Sequence, residues 1–448
     1  MSLGTENTKE WYQSNFHLFE KSLNGESKSP IHAVRKAAMA RFAEIGFPTT
    51  GDEEWKFTNV APIAKVNFKS TLENKSVAIG AEDIAPYLFP GLQSHLLVFV
   101  DGRFSGQLSN LKKLPKGVSV GSLAEALRTH PGLVNNHLTR YAKFEDNAFT
   151  ALSTAFLRDG AFVFVPDQTI VEHPIYLLFL STGRDENPAF HPRNLIIVGK
   201  NSQVSVIERY AGMGRSTYLN NIVTEVVVGE NAVVEHDKLQ DESEAAFHVS
   251  SIHVVQDARS NFTSNSVSFG GDLVRNNVTS VLNAPDCECR LNGLSLATGK
   301  QHVDNHTTID HVSPRCRSHE LYKSILDGKA KGVFNGKIFV RRDAQKTDAK
   351  QTNKTLLLSD DATIDTKPQL EIFADDVKCT HGATVGQLDD EQVFYLRARG
   401  IGLEQARDIL TFAFASDVIS RIYVEPLREQ LDRMLQVRLR KGRQAEAI

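Results

Sequence analysis

The feature that most constrains the fold is a long series of short strand-like runs that begins near residue 155. Runs rich in Val, Ile, Thr and Phe alternate with Gly, Asn and Asp, a pattern typical of strands separated by turns. No helix-length pattern interrupts them until about residue 388. The chain is therefore not an alternating α/β fold, and its strands must be stacked or sandwiched.

Small residues recur at the turns of this region. The intervals between them cluster near about 28 residues, with half-intervals near about 14, so each repeat has two turns. This pattern predicts a parallel β-helix, in which each turn of the coil bonds to the next. Because the spacing is irregular, a β-sandwich remains the alternative. The small residues that define the repeat are Ser202, Ala232, Ala258, Cys287, Cys316, Ala330, Ala344 and Ala362.

Helical patterns flank the strand region on both sides. In the amino-terminal part, Ser29 and Pro30 mark the start of a helix and Gly46 marks its end. We therefore predict a mainly β protein with helical regions at its two ends. The predicted domains are an amino-terminal α/β, mostly helical domain at 1–150, a parallel β-helix core at 151–387 and a carboxy-terminal helical domain at 388–448.

The carboxy-terminal region predicts two helices. Asp389 caps a helix that runs to Arg399, and a second helix runs from about Leu403 to Val424. The apolar surface of the second helix is wider than one core contact needs, so it is either buried on two sides or a docking face. The region is also a candidate cap for an open end of the β-helix. The candidate partner-binding residues are Phe394, Leu396, Phe412, Phe414 and Ile419.

One pair of side chains is the best candidate for chemistry. Cys379 and His381 lie two residues apart in a strand-like segment and so point to the same face. A thiolate and an imidazole suit iron or sulfur, and Lys378 and His381 would favour the thiolate. The alternative is a packed cysteine beside a hydrogen-bonded histidine. A cluster usually needs four ligands, so a partner chain, a substrate sulfur or nearby carboxylates must supply the rest. Those carboxylates are Glu371, Asp375 and Asp376.

Other possible sites are weaker. Cys287 and Cys289 form a C-x-C pair, but Cys287 occupies a repeat position that is otherwise filled by Ala or Ser, which favours packing. His302, Asp304 and His306 share one strand face and resemble a metal site, although stacked polar residues are common along a β-helix. The segment from Gly332 to Ile338 lacks the spacing and the hydroxyl residue of a P-loop, so any ATP dependence belongs to another subunit.

Composition excludes several classes of protein. A net charge of -3 gives no electrostatic case for nucleic-acid binding. The longest apolar runs are far shorter than the roughly 20 residues of a membrane-spanning helix. We expect a cytoplasmic protein, because four cysteines fit a reducing compartment and the amino terminus carries no targeting signal.

Three segments carry a family resemblance. They are EEWKFTN from Glu53 to Asn59, HELYKSILDGKAKGVFNGKIFVRRDAQ from His319 to Gln345, and the block from Lys346 to Ile401. Together they closely resemble the SufD branch of the SufB/SufD family, scaffold subunits of the SUF iron–sulfur cluster assembly machinery. SufB-like sequences are less similar, because this chain lacks their cysteine-rich amino-terminal motif and the Glu that follows their His.

The resemblance implies a right-handed parallel β-helix and a non-enzymatic scaffold of the SufBCD complex. It implies that Cys379 and His381 lie at the interface with SufB, where they hold iron or a nascent cluster transiently, with no tightly bound cofactor. It also implies that the carboxy-terminal helices receive the ABC-type ATPase SufC, and that the isolated chain forms a homodimer. No nucleic acid or membrane partner is implied.

A second class of function is a polysaccharide-acting β-helix enzyme. Such enzymes use clustered carboxylates in a groove, and the one tight acidic group here is Asp360, Asp361 and Asp365. These residues have the pattern of turn residues, and such enzymes are usually secreted, whereas this chain has no signal peptide. A transporter permease, the other natural partner of an ABC-type ATPase, is excluded by the hydropathy.

Overall fold

The strand region forms a parallel β-helix of right-handed type with about 8 turns, as predicted. The structure is a computed structural model that describes residues 3–23, 29–70, 79–183 and 186–446, with the backbone alone at 3–7 and 440–446. Each turn of the coil contributes one strand to each of two sheets. Strands of ten residues recur along both sheets, and they pair in parallel with the strand one turn away.

The first sheet has eleven strands. Its main path, from the carboxy-terminal end of the coil to the amino-terminal end, is β20, β18, β16, β14, β12, β10, β8, β5 and β4, and β1 and β7 lie beside it. The strands are β1 (Lys69–Ser70), β4 (Ser119–Ser122), β5 (Ala161–Val165), β7 (Pro188–Phe190), β8 (Arg193–Val198), β10 (Leu219–Val228), β12 (Phe247–Gln256), β14 (Leu273–Leu282), β16 (His302–His311), β18 (Lys331–Val340) and β20 (Thr363–Ile372).

The second sheet has ten strands, in the order β21, β19, β17, β15, β13, β11, β9, β6, β2 and β3. The strands are β2 (His95–Val100), β3 (Arg103–Phe104), β6 (Ile175–Ser181), β9 (Gln203–Gly212), β11 (Val233–Asp241), β13 (Asn261–Ser268), β15 (Glu288–Ala297), β17 (Arg317–Leu326), β19 (Asp348–Leu357) and β21 (Lys378–Gly386).

The turns that lead into the ten-stranded sheet explain the sequence repeat. Before each of β9, β11, β13, β15, β17 and β19, a residue with positive φ is followed by a small buried residue, as in Asn231 (φ 54°) before Ala232. The left-handed conformation turns the chain sharply, and the small side chain fits inside the corner. Two predicted positions are off: near Ala258 the left-handed residue is Arg259 (φ 57°) and the small buried residue is Ser260, and near Ala344 they are Lys346 (φ 61°) and Thr347. Ala330 and Ala362 instead precede β18 and β20 of the eleven-stranded sheet.

The interior of the coil is partly polar. Lys238 is buried, and its ammonium group donates to Ser250 Oγ and to Asn276 Oδ1, both at 2.7 Å. Burial lowers the pKa of Lys238 to about 8. The buried ammonium group of Lys238 therefore has two hydrogen-bond partners on strands of the facing sheet, which reduces the cost of burying its charge.

Seven helices precede the coil within the described residues. Gly46 ends the second helix as predicted, because its φ of 66° lets its N–H bond to Phe42 O at 2.8 Å. The helices are α1 (Leu3–Ser22), α2 (Pro30–Ile45), α3 (Ala61–Ala64), α4 (Ala81–Ile84), α5 (Leu123–Thr129), α6 (Pro131–His137) and α7 (Ala148–Ala155). Arg193 and Glu225 form a buried ion pair at 2.7 Å. Glu225 also accepts hydrogen bonds from the N–H groups of Thr139, Tyr141 and Ala142, so this carboxylate fixes the chain segment after α6.

Three helices follow the coil, where two were predicted. They are α8 (Asp390–Ala398), α9 (Leu403–Ile419) and α10 (Glu425–Glu446). The predicted cap of α8 is confirmed, since the Asp389 carboxylate accepts from the N–H groups of Glu391 and Gln392. The predicted helix from Leu403 to Val424 is too long, because α9 ends at Ile419 and a turn leads into α10.

The carboxy-terminal helices lie along the side of the coil and do not cap its end, which corrects the prediction. Buried residues of α9 and α10, such as Val418, Leu427 and Leu431, pack on the ten-stranded sheet against Leu294 and Ile325. Within the described residues, β20 and β21 each have a hydrogen-bonded neighbour in their sheet on one side only. The last turn of the coil is therefore open. None of the described helices is long and apolar enough to cross a membrane.

Candidate functional site

Cys379 and His381 lie on β21, the last strand of the ten-stranded sheet. Cys379 pairs in register with Ala349, and His381 pairs with Gln351. Ala349 and Gln351 are buried, 0% and 1% exposed, so their side chains point into the coil. Because neighbouring residues in a parallel ladder share a face, Cys379 and His381 also point into the coil at its open end.

The two side chains differ in how much of them is covered. Cys379 is half-buried and packs with Ala349, Val377 and Leu370. His381 is exposed. A ligand or a partner chain can therefore reach the imidazole from the open end.

The thiol of Cys379 is not activated within the isolated chain. Burial raises its pKa above the ordinary value, and the Asp348 carboxylate adds to that effect. The prediction that neighbouring cations favour the thiolate is wrong for this structure. A metal ion or a second cationic group has to displace the proton before the sulfur can act as a ligand.

The nearby carboxylates do not join this pair. Glu371 is paired with Lys337 at 2.9 Å on the outer face of β20. Asp375 and Asp376 are exposed on the loop between β20 and β21. Among the described residues, no group of three or more His, Cys, Asp or Glu is arranged to hold a metal ion. Within the described residues, Cys379 and His381 are therefore the two groups at this position that could bind a metal ion.

A polar ladder below His381 was not predicted from the sequence. Gln351 lies directly under His381 in the ladder, and Glu320 lies under Gln351. Gln351 Nε2 donates to Glu320 Oε2 at 2.6 Å, and burial raises the pKa of Glu320 to about 7. The signal in the sequence was the spacing, because positions 320, 351 and 381 are each about one repeat apart.

The EEWKFTN segment forms a strap across the outer face of the eleven-stranded sheet. The Arg275 guanidinium lies 4.3 Å from the centre of the Trp55 ring and bonds to Glu54 O at 3.0 Å. Thr58 hydrogen-bonds to His302 at 2.8 Å. Asp304 is paired with Arg275 at 2.5 Å and with His306 at 3.1 Å. The residues His302, Asp304 and His306, considered above as a possible metal site, thus form the surface on which the strap packs.

The segment that resembles a P-loop is a strand. Gly332 to Ile338 lies within β18, so its N–H groups are part of a sheet and do not form a phosphate cradle. Gly336 is needed for packing, because a Cβ atom there would come within 2.3 Å of Gln351 Nε2. The glycine therefore makes room for the polar ladder below His381.

The acidic group considered for sugar chemistry is not a catalytic pair. Asp365 pairs with Lys331 at 3.0 Å, and Asp361 lies 3.9 Å from Lys329. Asp360 accepts a hydrogen bond from Gln387 at 3.4 Å. Their partners are surface side chains. Asp360 and Asp361 lie in the turn before β20, as their pattern predicted, whereas Asp365 lies within β20.

The five candidate partner-binding residues have different surroundings. Phe394 on α8 is 73% exposed, and Leu396 is half-buried. Phe412 and Phe414 on α9 are partly buried against the sheet, and the Lys323 ammonium lies 4.4 Å from the Phe414 ring centre. Ile419 is 1% exposed, so it fixes α9 to the sheet and adds nothing to the surface.

Comparison of the sequence with protein families gives two matches that together span most of the chain. The profile described as "SUF system FeS cluster assembly, SufBD core domain" matches residues 179–414, which include the coil from β9 to β21. The profile described as "SufBD protein N-terminal region" matches residues 6–177. Cys379, His381 and the ladder below them lie within the core-domain match.

Whole proteins of the same kind are similar over nearly their full length. An iron–sulfur cluster assembly SufBD family protein of Synechocystis sp. is 33% identical over 91% of this chain and 91% of its own. The iron–sulfur cluster assembly protein SufD of Escherichia coli is 30% identical over 96% of both chains. SufD of Bacillus subtilis is 26% identical over 92% of this chain and 95% of its own. This chain therefore belongs to the SufB/SufD family of iron–sulfur cluster assembly proteins.

Proposed function

We propose that this chain is a non-enzymatic, cytoplasmic scaffold subunit of a SufBCD-type complex. It pairs with a SufB homologue at the open end of the coil and docks a SufC-type ATPase on its carboxy-terminal helices. Cys379 and His381 then contribute two ligands to iron or to a nascent cluster, which is the cargo of the complex. The observation that carries the proposal is the position of this pair, inside the last turn of an uncovered coil.

The open end suits pairing with another scaffold chain. The outward-facing backbone groups of β20 and β21 form two exposed strand edges, and such edges readily pair with strands of another chain. A partner that docks there would cover His381 and bring its own side chains to the same lumen. The missing ligands of a cluster would then come from the partner.

Because the pKa of Cys379 is raised, metal binding by its sulfur is coupled to the loss of the thiol proton. A protonated thiol does not bind iron well, so binding must release a proton from the sulfur. His381 can bind through a neutral ring nitrogen without that step. His381 is thus expected to bind iron first, and Cys379 becomes a ligand once the partner chain or iron is in place.

The experiment replaces each ligand in turn and measures the cargo. We expect His381→Ala to lower the iron and sulfide content of an anaerobically purified complex at least about tenfold, because an exposed metal ligand is lost. Cys379→Ser should lower it by the same amount if the sulfur is a direct ligand, and by less if it assists. Melting temperature should be unchanged for His381→Ala, since its side chain is exposed.

The matched control is His319→Ala. His319 is also an exposed histidine of the ten-stranded sheet, but its neighbours Ser318 and Glu320 point inward, so it lies on the outer face. This variant should keep the full iron and sulfide content. Full cluster content in both single variants and in the double variant would refute the role of Cys379 and His381.

A further inference from the structure

Two cysteines occupy equivalent positions on adjacent turns of the coil, below its last two turns. Cys287 and Cys316 immediately precede β15 and β17, and each follows a left-handed residue, Asp286 (φ 63°) and Arg315 (φ 59°). The Arg317 N–H donates to Cys287 O at 2.9 Å, which continues the β15–β17 ladder by one residue. Adjacent ladder positions lie about 4.8 Å apart, within the range of Cα separations that a disulfide spans.

The two sulfur atoms meet inside the corner of the coil. Both are hydrogen-bonded to the same acceptor, Ala284 O, at 3.0 Å from Cys287 Sγ and 3.3 Å from Cys316 Sγ. The two thiols also lie close enough to shift each other's pKa in opposite directions. The residues are 1% and 0% exposed, but the exposed Asp286–Arg315 ion pair, at 2.8 Å, lies one residue outside them. The pair is therefore buried next to an exposed turn.

The electrostatics of the pair favour a single thiolate. The hydrogen bond from the Cys316 thiol lowers the pKa of Cys287 to about 7, and the same bond raises the pKa of Cys316. Cys287 is thus the sulfur that loses its proton more readily, and Cys316 keeps its proton. A thiolate next to a thiol is the arrangement in which an oxidised sulfur is captured by its neighbour.

We propose that Cys287 and Cys316 are a modification site, at which a hydroperoxide oxidises the two thiols to a disulfide that links adjacent turns of the coil. The Cys287 thiolate attacks one peroxide oxygen, the O–O bond breaks, and hydroxide or alkoxide leaves, giving a sulfenic acid. The Cys316 sulfur then attacks the sulfenic sulfur, its proton goes to the departing hydroxide, and water is released. With hydrogen peroxide, two thiols lose two electrons and two protons, and the peroxide becomes two waters.

The other two cysteines are not suited to this chemistry. Cys289 has Phe262 and Ser318 as its ladder neighbours, neither of which offers a thiol, and burial raises its pKa to about 12. Its sulfur is hydrogen-bonded to Ser280 Oγ at 3.4 Å. Cys379 lies on β21, and its ladder partner is Ala349, which offers no second thiol. Disulfide formation should therefore be confined to one pair.

The test treats the reduced full-length chain with one equivalent of hydrogen peroxide and maps its peptides. We expect an intact mass lower by two hydrogens, a peptide linking Cys287 to Cys316, and recovery of both thiols with dithiothreitol. The link should form about tenfold faster at pH 8 than at pH 6, since a pKa of about 7 sets the thiolate fraction of Cys287.

Three variants separate this proposal from unspecific oxidation. Cys316→Ser should stop the reaction at a sulfenic acid on Cys287, which dimedone traps, and Cys287→Ser should give no link. Cys289→Ser is the matched control, and it should form the link like the original chain. Circular dichroism checks that each variant is folded. Absence of the 287–316 link in the original chain, or dimedone labelling that falls on Cys379 in every variant, would overturn the proposal.

Discussion

At the scale of single residues, the site depends on what lies one turn below it. Gln351 is the ladder neighbour of His381, and Glu320 is the ladder neighbour of Gln351. The Oε1 atom of Glu320 has no hydrogen-bond partner within the described residues. A buried carboxyl group with one unpaired oxygen prefers the neutral form. The ladder therefore places a neutral acid near the lumen, two positions below the exposed imidazole.

Glu320 should make the protein less stable as the pH rises. Its pKa is about 7 in the folded chain against an ordinary 4.5, so above pH 4.5 the folded state binds more protons than the unfolded state. Stability from this group is present below pH 4.5 and is lost by about pH 7. We expect Glu320→Gln to be more stable than the original chain at pH 8, by up to about 3 kcal/mol, and equally stable at pH 4.5.

Urea unfolding between pH 4.5 and pH 8.5 measures this difference. Asp375→Asn is the matched control, because Asp375 is an exposed carboxyl group on the loop before β21, and its stability difference should not grow with pH. A constant difference between Glu320→Gln and the original chain across the range would show that Glu320 is not the group that titrates.

At the scale of elements, α9 shows where the sequence pattern was misleading. The apolar residues Leu403, Ala406, Leu410, Phe414 and Val418 recur at spacings of three and four and indicate one stripe, but only Ala406 and Val418 of these belong to the buried face, which also includes Thr411, Ala415 and Ile419. Small residues are needed because the helix lies close against β15 and β17. Thr411 can be buried because its hydroxyl donates to Arg407 O at 2.8 Å. Phe414 is displaced to the side, where it stacks with Lys323.

The exposed face of α8 is the best test of ATPase docking. Phe394 and Tyr395 are 73% and 55% exposed, and α8 has no buried residue. We expect Phe394→Asp to weaken binding of a SufC-type ATPase at least about tenfold, or roughly 1.4 kcal/mol, in calorimetry. Its own stability should change little, because the side chain is exposed.

Tyr423→Asp is the matched control for this docking face. Tyr423 is 78% exposed in the turn between α9 and α10, so it is equally apolar and accessible but lies outside α8. Equal loss of affinity in both variants, or in neither, would contradict docking through α8. Deletion of all residues after Gly386 is a poorer test, because it would uncover the sheet face that α9 and α10 bury.

At the scale of the whole molecule, the repeat predicted the coil but not its ends. Strand length and turn spacing are local properties, and they follow from residues such as Asn231 and Ala232 at one corner. The pairing of His381 with Gln351 also follows from that spacing, once the register is known. The position of α9 and α10 could not be predicted from local patterns. It depends on which apolar sheet face is left exposed to solvent once the coil has formed.

The open end has a consequence for the hydrogen bonds of β21. The Lys378 N–H points towards the neighbouring strand β19 and donates to Thr347 O, just before that strand, at 2.8 Å. Since the direction alternates along a strand, the N–H groups of Cys379, His381, Ala383 and Val385 point away from β19. These donors are the backbone groups that a strand of another chain would bind.

Ala383→Pro should therefore block pairing at the open end while the coil stays folded. Proline is tolerated in an edge strand where the N–H faces outward, and the preceding Gly382 relieves the restriction that proline puts on its neighbour. We expect the variant to bind a SufB-type partner, and to self-associate, at least about tenfold more weakly in sedimentation velocity experiments. Ala383→Ser is the matched control, because it keeps the outward N–H and should bind like the original chain. If Ala383→Pro retains the full affinity and a normal melting temperature, the partner does not pair with β21, and the cluster ligands at Cys379 and His381 must be completed from another direction.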